Sequence, residues 1–386
     1  MSVLGEAGDV KCVIGLMSGT SMDGVDAAMI YTDGVRIERI GPSLTVSYPD
    51  DVRERIRIGL DLAAGYVPGG DVPSAIKDLE RELTDWHGHA VEEVLSVTGQ
   101  KPGAVDLIGF HGQTLTHRPE QGWTWQIGDG GRLAGYTGIS VVNDFRTADM
   151  KAGGEGAPLV PLYHAALLLR ERRHETVAIL NIGGVANVSW VSFADGGEDP
   201  QMVAFDTGPG NAMLDDWAKI HTGQACDTDG NLAARGLCHE EVVLGLMATP
   251  YFDETPPKTL DRNDFTIQSV RGLSPEDGAA TLTDFIVESM VSAQSHFPIP
   301  PEAWYVCGGG RHNHTLMRRL RRRMPVLVDP VEVLGWRGDV LEAEAFAFLA
   351  ARSVRGLPLS VPGTTGCSEP TPGGTLHKPL RTLFNR

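Results

Sequence analysis

The sequence lacks long apolar runs: none approaches the roughly 18 residues that a membrane-spanning helix needs. Its N-terminus lacks the basic region and apolar core of a secretory leader. The five cysteines are scattered, odd in number and without Cys-x-x-Cys spacing, which favours a reduced protein over a disulfide framework or a zinc site. These absences predict a cytoplasmic protein with no membrane partner.

The sequence also lacks an excess of basic residues, since the formal net charge is −17. A nucleic-acid partner would need a basic face, so this charge argues against one. The one dense basic run, at 318–323, is better interpreted as a solvated helix face than as an anion site. No Walker A pattern occurs, which disfavours a P-loop fold.

Glycine, in contrast, is abundant, with 47 residues in a chain of 386. That length favours two domains. An apolar strand, a glycine-bearing turn, an alternating strand and a second turn occur at 11–34 and again at 177–197. This repeat predicts two similar α/β domains facing one cleft, an N-terminal lobe at 1–165 and a C-terminal lobe at 166–386. The last helix, predicted at 340–352, can cross back to the first lobe.

The remaining pattern predicts further elements. Apolar residues at three- and four-residue spacing, such as Ile76, Leu79 and Leu83, indicate amphipathic helices. Helices are predicted at 50–64, 74–99, 162–170 and 274–296, and strands at 104–110, 139–143, 202–205 and 304–307. The Pro/Gly/Thr-rich tail from Leu357 onward is interpreted as extended surface.

Three glycine turns follow predicted strands, at 17–24, 182–185 and 307–313. Glycine allows close backbone approach, and successive free N–H groups in such turns bind anions. Each turn alone is better explained as an ordinary tight turn. Two of them occupy the same place in a repeated unit and the third precedes a helix, so together they favour nucleotide phosphates.

Several carboxylates could carry chemistry. Asp206 ends an apolar strand and is equally well explained as a general base or as a turn-stabilising residue. Asp23, in the first glycine turn, could reach Mg²⁺ through water. Glu342 shares a helix face with apolar residues, so both a cleft position and an edge position stay open.

Polar residues also cluster after the strand that ends near Phe110. His111, Gln113 and His117, followed by two tryptophans, suit sugar hydroxyls, although a structural histidine is the alternative. Arg146 could bind a carboxylate through two parallel hydrogen bonds.

Eight ordered blocks resemble the anhydro-N-acetylmuramic acid kinase family along nearly the whole chain. The most extensive is Gly-Leu-Met-Ser-Gly-Thr-Ser-Met-Asp-Gly-Val-Asp at 15–26. The others lie at 111–114, 126–129, 144–146 with 153–161, 181–187, 205–211, 307–310 and 342–347.

This resemblance implies a two-lobed fold of the actin/hexokinase/Hsp70 class, with ribonuclease H-like domains. It also implies an ATP- and Mg²⁺-dependent kinase that hydrolytically opens the 1,6-anhydro ring of 1,6-anhydro-N-acetylmuramic acid and phosphorylates O6. The product is N-acetylmuramic acid 6-phosphate, in peptidoglycan recycling. Asp206 matches the family's catalytic base, and Glu342 the residue that helps to hold the attacking water.

The resemblance and the turns together predict the binding residues, and the family also suggests a homodimer. The predicted ATP-binding residues are Gly19, Thr20, Ser21, Met22, Asp23, Gly24, Val25, Asp26, Gly183, Gly184, Asn187, Gly308, Gly309, Gly310 and Asn313. The predicted substrate-binding residues are Ser18, His111, Gln113, Arg146, Asp149, Asn181, Gly208 and Asn211.

The chain departs from the family pattern at three positions. Asp261 replaces a glycine, Asn263 replaces a glutamate and Glu155 replaces a glutamine. These departures concern substrate preference, so a levoglucosan-type anhydro-sugar kinase stays an alternative. A non-catalytic sensor or a phosphatase on the same fold is a further alternative.

Overall fold

The computed structural model describes residues 3–19, 22–193, 197, 199–262 and 264–379. The chain divides into two compact units, the first formed by Met1–Arg172 with Val340–Arg386 and the second by Arg173–Asp339. The predicted division at 165/166 therefore differs from the structural one, which assigns both 166–172 and 340–386 to the first unit.

Each unit contains one mixed β-sheet. The strands are β1 (Lys11–Ser18), β2 (Gly24–Thr32), β3 (Ile37–Ser47), β4 (Leu107–Arg118), β5 (Trp123–Ile127), β6 (Val141–Asn143), β7 (Val177–Ile182), β8 (Val185–Ser192), β9 (Gln201–Pro209), β10 (Ala303–Cys307), β11 (Leu327–Pro330) and β12 (Thr375–His377). The first sheet has the order β12-β6-β4-β1-β2-β3, with β5 paired to β4, and the second has the order β11-β10-β7-β8-β9.

The two sheets share a layout of five strands, to which the first sheet adds β5 and β12. In the first sheet β1 pairs on one side with the antiparallel hairpin β2-β3, and in the second sheet β7 pairs in the same way with β8-β9. On its other side lie parallel strands, β4 and β6 in one and β10 and β11 in the other. This duplicated α/β arrangement is the one predicted for the actin/hexokinase/Hsp70 class. Strand β3 was not predicted, because a Gly-Pro pair interrupts its apolar residues and all but its first residue are exposed or half-buried.

The helices cover both sheets. They are α1 (Asp50–Ala64), α2 (Ser74–Thr98), α3 (Gly130–Thr137), α4 (Thr147–Lys151), α5 (Pro161–Arg170), α6 (Ala212–Thr222), α7 (Glu240–Met247), α8 (Pro275–Ser292), α9 (His314–Arg323), α10 (Leu341–Val354) and α11 (Pro362–Thr365). Each unit has its own apolar core. Among the described residues, none of these helices is both long and apolar enough to cross a membrane.

Helix α10 explains why the C-terminal segment belongs to the first unit. It lies directly on β1 and β4, where glycine leaves room for its backbone. A Cβ added at Gly15 would lie 1.7 Å from the carbonyl oxygen of Ala343, and one at Gly109 would lie 2.1 Å from that of Phe346. The contact therefore requires glycine on both strands and fixes the first turn of α10 against the sheet.

The C-terminal tail is only in part the exposed surface that its composition predicted. Strand β12 pairs with β6 at the edge of the first sheet. Leu359, Ser360, Thr365 and Cys367 are all buried. Composition alone indicated an irregular segment, and its burial follows from long-range contacts within the first unit.

Candidate functional site

The carboxyl ends of the parallel strands β1 and β4 bring Ser18 and Gln113 together. The two residues are partners in the register of the sheet. The Ser18 hydroxyl donates to Oε1 of Gln113 at 2.6 Å and accepts a hydrogen bond from the Tyr48 hydroxyl at 3.1 Å. All three side chains are buried. The motif at 111–114 therefore lies within β4, which continues to Arg118 because it pairs with β5.

His111 and Arg146 form a second polar group in the first unit. The Arg146 guanidinium donates to Nε2 of His111 through Nε at 3.1 Å and through NH2 at 2.9 Å, and NH1 donates to the Gly156 carbonyl at 2.7 Å. Burial, reinforced by the adjacent guanidinium, lowers the pKa of His111 well below its ordinary value. The imidazole also packs on the ring of Phe346, with 4.5 Å between ring centroids.

Glu342 lies in the first turn of α10 and is partly buried. Burial raises the pKa of its carboxyl group, the positive charge of Arg146 opposes this, and the negative charge of Asp26 adds to it. Glu342 makes no hydrogen bond to another residue in the described part of the chain. Its neighbour on the helix, Glu344, is buried and accepts a hydrogen bond from the Tyr163 hydroxyl at 2.6 Å. Of the two carboxylates, Glu342 is thus the one available to a ligand.

Asp149 lies near this group, but its carboxylate is already occupied. It accepts hydrogen bonds from the Gly156 N–H at 2.7 Å, from the Thr365 hydroxyl at 2.6 Å and from the Ser360 hydroxyl. The side chain is only 2% exposed. The structure therefore shows Asp149 holding the loop before α5 to the C-terminal tail, and substrate contact by this residue stays a prediction.

The first glycine turn joins β1 to β2. Thr20 and Ser21 lie outside the described residues. Met22 has a positive φ of 58°, and its N–H donates to the Gly19 carbonyl at 3.1 Å, which closes a tight turn. Asp23 is exposed, so its carboxylate can reach a ligand.

Three more predicted ATP-binding residues lie at the start of β2. A Cβ at Gly24 would lie 2.2 Å from the Val46 carbonyl oxygen, so the strand pairing itself requires glycine there. The side chain of Val25 is fully buried in the core, which leaves only its main chain for a ligand. Asp26 accepts a hydrogen bond from the Thr45 hydroxyl at 2.5 Å.

In the second unit, three turns that are far apart in sequence come together. The N–H groups of Gly210 and Asn211 donate to the carbonyls of Gly184 and Gly183, at 2.9 and 2.7 Å. The Asn211 side chain donates to the Ile182 carbonyl at 3.1 Å.

The third of these turns, at 308–310, packs on the same group. A Cβ at Gly308 would lie 2.3 Å from Oδ1 of Asn181, and one at Gly310 would lie 2.3 Å from the Ile182 side chain. Asn181 and Cys307 are register partners on the parallel strands β7 and β10, which places their following turns side by side.

Two side chains next to the Gly308 turn have internal partners. Asn313 is the N-cap of α9, and its side chain accepts a hydrogen bond from the Leu316 N–H at 2.9 Å. Contact of Asn313 with ATP stays a prediction. Arg311, which the sequence did not indicate, donates to the Gly308 carbonyl at 2.9 Å and forms ion pairs with Asp339 and Glu332. The ion pair with Arg311 lowers the pKa of Asp339.

Asp206 lies in β9, opposite Asn187 in the register with β8. A bulge at this point shifts the pairing so that Gly208 faces Ala186. The Asp206 carboxylate is half-buried, and its Oδ2 accepts a hydrogen bond from the Leu260 N–H at 2.9 Å. Strand β9 extends four residues past the predicted end, so the base candidate lies within regular structure and not in a loose turn.

Several residues that orient these groups were not predicted from the sequence. Tyr48 hydrogen-bonds to Ser18, Arg311 holds the Gly308 turn, and the segment 251–260 contacts Asp206. The segment 251–260 lies outside the eight blocks that resemble the family, so no motif pointed to it. Tyr48 and Arg311 are distant in sequence from the groups they orient, and no local spacing identifies them.

Comparison with known proteins supports one family. A family model described as anhydro-N-acetylmuramic acid kinase matches residues 11–379. Proteins named anhydro-N-acetylmuramic acid kinase are 52% identical in Gluconobacter oxydans, 49% in Rhodospirillum rubrum and 48% in Rhizorhabdus wittichii. The aligned regions cover 94%, 99% and 95% of this chain, and 98% of each relative.

Similarity to solved structures is much weaker. A ROK family glucokinase from Streptomyces griseus in complex with glucose and AMPPNP has a TM-score of 0.39 and 13% identity, covering 88% of this chain and 99% of that one. These values add nothing to the family assignment.

Proposed function

The chain belongs to the anhydro-N-acetylmuramic acid kinase family, and we propose that it opens the 1,6-anhydro ring of 1,6-anhydro-N-acetylmuramic acid while phosphorylating O6 from ATP. As a member of this family it is a kinase, that is, a phosphotransferase. The observation that carries the proposal is that the Asp206 motif and the glycine turns are intact within a match spanning nearly the whole chain.

The reaction couples hydrolysis at C1 to phosphorylation of O6. Water attacks C1, its proton passes to Asp206, and the C1–O6 bond breaks. Hydrolysis of an acetal usually needs a second carboxylic acid to protonate the leaving oxygen. Here O6 instead takes the γ-phosphoryl group of ATP, and ADP leaves. A single base therefore suffices.

The surroundings of Asp206 support the role of base. The Leu260 N–H holds one carboxylate oxygen, and the main chain at Asp206 donates to the Lys258 carbonyl at 3.0 Å. A carboxylate fixed in this way keeps its orientation through turnover, which acid–base catalysis requires.

The glycine turns support the binding of ATP. In the second unit, Gly183, Gly184 and the Gly308 turn are locked together, so their backbone geometry is fixed before a nucleotide binds. Phosphoryl transfer depends mainly on positioning and on charge stabilisation. We therefore assign these turns, with Gly19 to Gly24 in the first unit, to the nucleotide.

A magnesium ion fits the donors that are present. No group of three or more His, Cys, Asp or Glu residues able to hold a metal occurs among the described residues. Mg²⁺ usually keeps several waters and is held by one or two carboxylates together with substrate phosphates, for which the exposed Asp23 is suitable. When bound, the ion would neutralise charge on the transferring phosphoryl group.

Ser18, Gln113 and Arg146 are the residues that we assign to the sugar, and Glu342 to the attacking water. Arg146 is fixed by His111 and Gly156, so its charge has a set position. A guanidinium suits the lactyl carboxylate that distinguishes the muramyl sugar. Glu342, with its own carboxylate not hydrogen-bonded within the described residues, can accept a hydrogen bond from water.

The deciding experiment measures ADP release with 1,6-anhydro-N-acetylmuramic acid, with levoglucosan and with no sugar. We expect the muramyl sugar to stimulate release well above the basal ATPase rate, and one ¹⁸O from labelled water to appear at C1 of the product. Stimulation by levoglucosan alone would refute the muramyl assignment. Steady phosphate release without dependence on either sugar would indicate a phosphatase.

We further place the reaction in the cytoplasm, where ATP is available, and propose a homodimer as in the family resemblance. Light scattering of the purified chain tests the second point, since a single monomer mass at working concentration would exclude it.

A further inference from the structure

The segment 251–260 contacts both the main chain and the side chain of Asp206. The Tyr251 hydroxyl donates to the Asp206 carbonyl at 2.5 Å, and the Asp206 N–H donates to the Lys258 carbonyl at 3.0 Å. The Leu260 N–H then donates to the Asp206 carboxylate at 2.9 Å. Three hydrogen bonds therefore relate the position of Asp206 to the conformation of one loop.

The conformation of this loop depends on a buried ammonium group. Lys258 is only 6% exposed, and its Nζ donates to the carbonyls of Tyr251 and Phe252, at 2.8 and 3.4 Å. Nζ also lies 4.5 Å from the centre of the Tyr251 ring, which favours the cation further. The Lys258 side chain thus ties the end of the loop back to its beginning, seven residues earlier.

A buried lysine without a specific task is unusual, because removing an ammonium from water is costly unless partners compensate. Burial lowers the pKa of Lys258, and the negative charges of Glu254 and Asp253 oppose this shift only in part. The ammonium here has main-chain carbonyls as its hydrogen-bond acceptors. An apolar residue would fill the same space without this cost, but it could not fix the two carbonyls.

We propose that Lys258 is a positioning residue for the reaction, acting through the loop to hold Leu260 N–H against the carboxylate of Asp206. The inference rests on the proposed role of Asp206 as base. An N–H donor stabilises the ionised carboxylate, so losing it makes the base harder to deprotonate. Lys258 needs no contact with the sugar or with ATP to have this effect.

The test compares Lys258→Met with Lys219→Met, which alters an exposed lysine of α6 in the same unit. For Lys258→Met we expect kcat to fall roughly ten- to hundredfold, as when a catalytic group is displaced. KM for ATP should change less than about twofold. The acidic limb of the pH–kcat profile should move to higher pH, whereas Lys219→Met should match the wild type.

A purely structural role would reduce the fraction of active protein without moving the acidic limb, and that result would overturn the proposal. If Lys258→Met does not fold, the pH–kcat profile of Tyr251→Phe tests the same inference. This variant keeps the aromatic ring and removes the hydrogen bond to the Asp206 carbonyl. It should move the acidic limb in the same direction, and an unchanged profile would refute the inference.

The same experiment separates this inference from the proposed function. If Asp206→Asn retained turnover, the base role itself would fail. If Asp206→Asn were inactive while Lys258→Met behaved as the wild type, only the role of Lys258 would be rejected.

Discussion

Arg146 donates two hydrogen bonds to a single nitrogen of His111, from Nε at 3.1 Å and from NH2 at 2.9 Å. A guanidinium can only donate, so Nε2 of His111 is the unprotonated acceptor. The other ring nitrogen, Nδ1, lies 2.9 Å from the Gly112 carbonyl oxygen, which can only accept. His111 is therefore a neutral imidazole with its proton on Nδ1, and it orients the cation of Arg146.

Removing this acceptor should weaken sugar binding. We expect His111→Ala to raise KM for the anhydro-sugar about tenfold and KM for ATP much less, because Arg146 loses its orientation. Steady-state kinetics with each substrate varied in turn measures both. His89→Ala, on the exposed face of α2, is the matched control. Equal increases in both KM values would contradict a role confined to the sugar.

Asp206→Asn should lower kcat by about a thousandfold or more, since the amide cannot accept the proton of the attacking water. Nucleotide binding should persist, because the glycine turns are untouched. Calorimetric titration with ADP and the ADP-release assay test the two halves of this prediction. Asp216→Asn, an exposed position on α6, should stay active. Substantial turnover by Asp206→Asn would exclude it as the base.

Arg311→Ala should weaken the binding of ATP more than the binding of the sugar. The variant leaves the Gly308 carbonyl without its donor and Asp339 without its ion-pair partner. Hydrogen bonds of charged groups are worth about 1.5–3 kcal/mol, so we expect KM for ATP to rise about tenfold or more. The control is Arg322→Ala, since Arg322 is exposed and makes no hydrogen bond within the described ranges. An unchanged KM for ATP would show that the turn does not need Arg311.

The protein should lose stability in mild acid. Burial lowers the pKa of His87 and of His117 to about 4, and that of His164 to about 3, from an ordinary value of 6.5. Below pH 6.5 the unfolded chain therefore binds more protons than the folded one, and the free energy of unfolding falls as the pH decreases towards 4. Above pH 6.5 this contribution to stability is fully present.

At pH 5.5 a histidine with a pKa of about 4 lowers the free energy of unfolding by about 1.4 kcal/mol. Urea unfolding at pH 7.5 and 5.5 measures the difference. His87→Leu should reduce it by roughly that amount, whereas His89→Leu, an exposed position, should not. An undiminished difference in His87→Leu would argue against a neutral His87.

Gly15→Ala tests how closely α10 packs on the first sheet. The added Cβ would meet the Ala343 carbonyl oxygen at 1.7 Å, and a helix backbone cannot move aside without displacing the helix. We expect the free energy of unfolding to fall by about 3 kcal/mol or more. At Gly135, in α3, an added Cβ meets nothing within 4 Å among the described residues, so Gly135→Ala should be neutral or stabilising by up to about 1 kcal/mol. Similar values for the two variants would contradict this account.

Elements with a strong local pattern were predictable. Helix α1 was predicted with its observed bounds, and the hairpins β1-β2 and β7-β8 lie within the two predicted strand–turn–strand units at 11–34 and 177–197. Strand β3, the continuation of β4 into its hairpin with β5, and the buried part of the tail were not, because segments without a regular apolar pattern reveal their partners only once the chain has folded.

The sequence by itself determined the family, the duplicated strand–turn–strand units and the identity of Asp206 as a candidate, since these depend on local spacing and on ordered motifs. Only the tertiary structure decided which of the two carboxylates in α10 is buried against Tyr163 and that Asp149 is occupied by the C-terminal tail. It also decided that Lys258 and Tyr251 contact the loop and the main chain around Asp206. These facts depend on contacts between residues far apart in the chain, or on the side to which a side chain turns. Residue spacing carries neither kind of information.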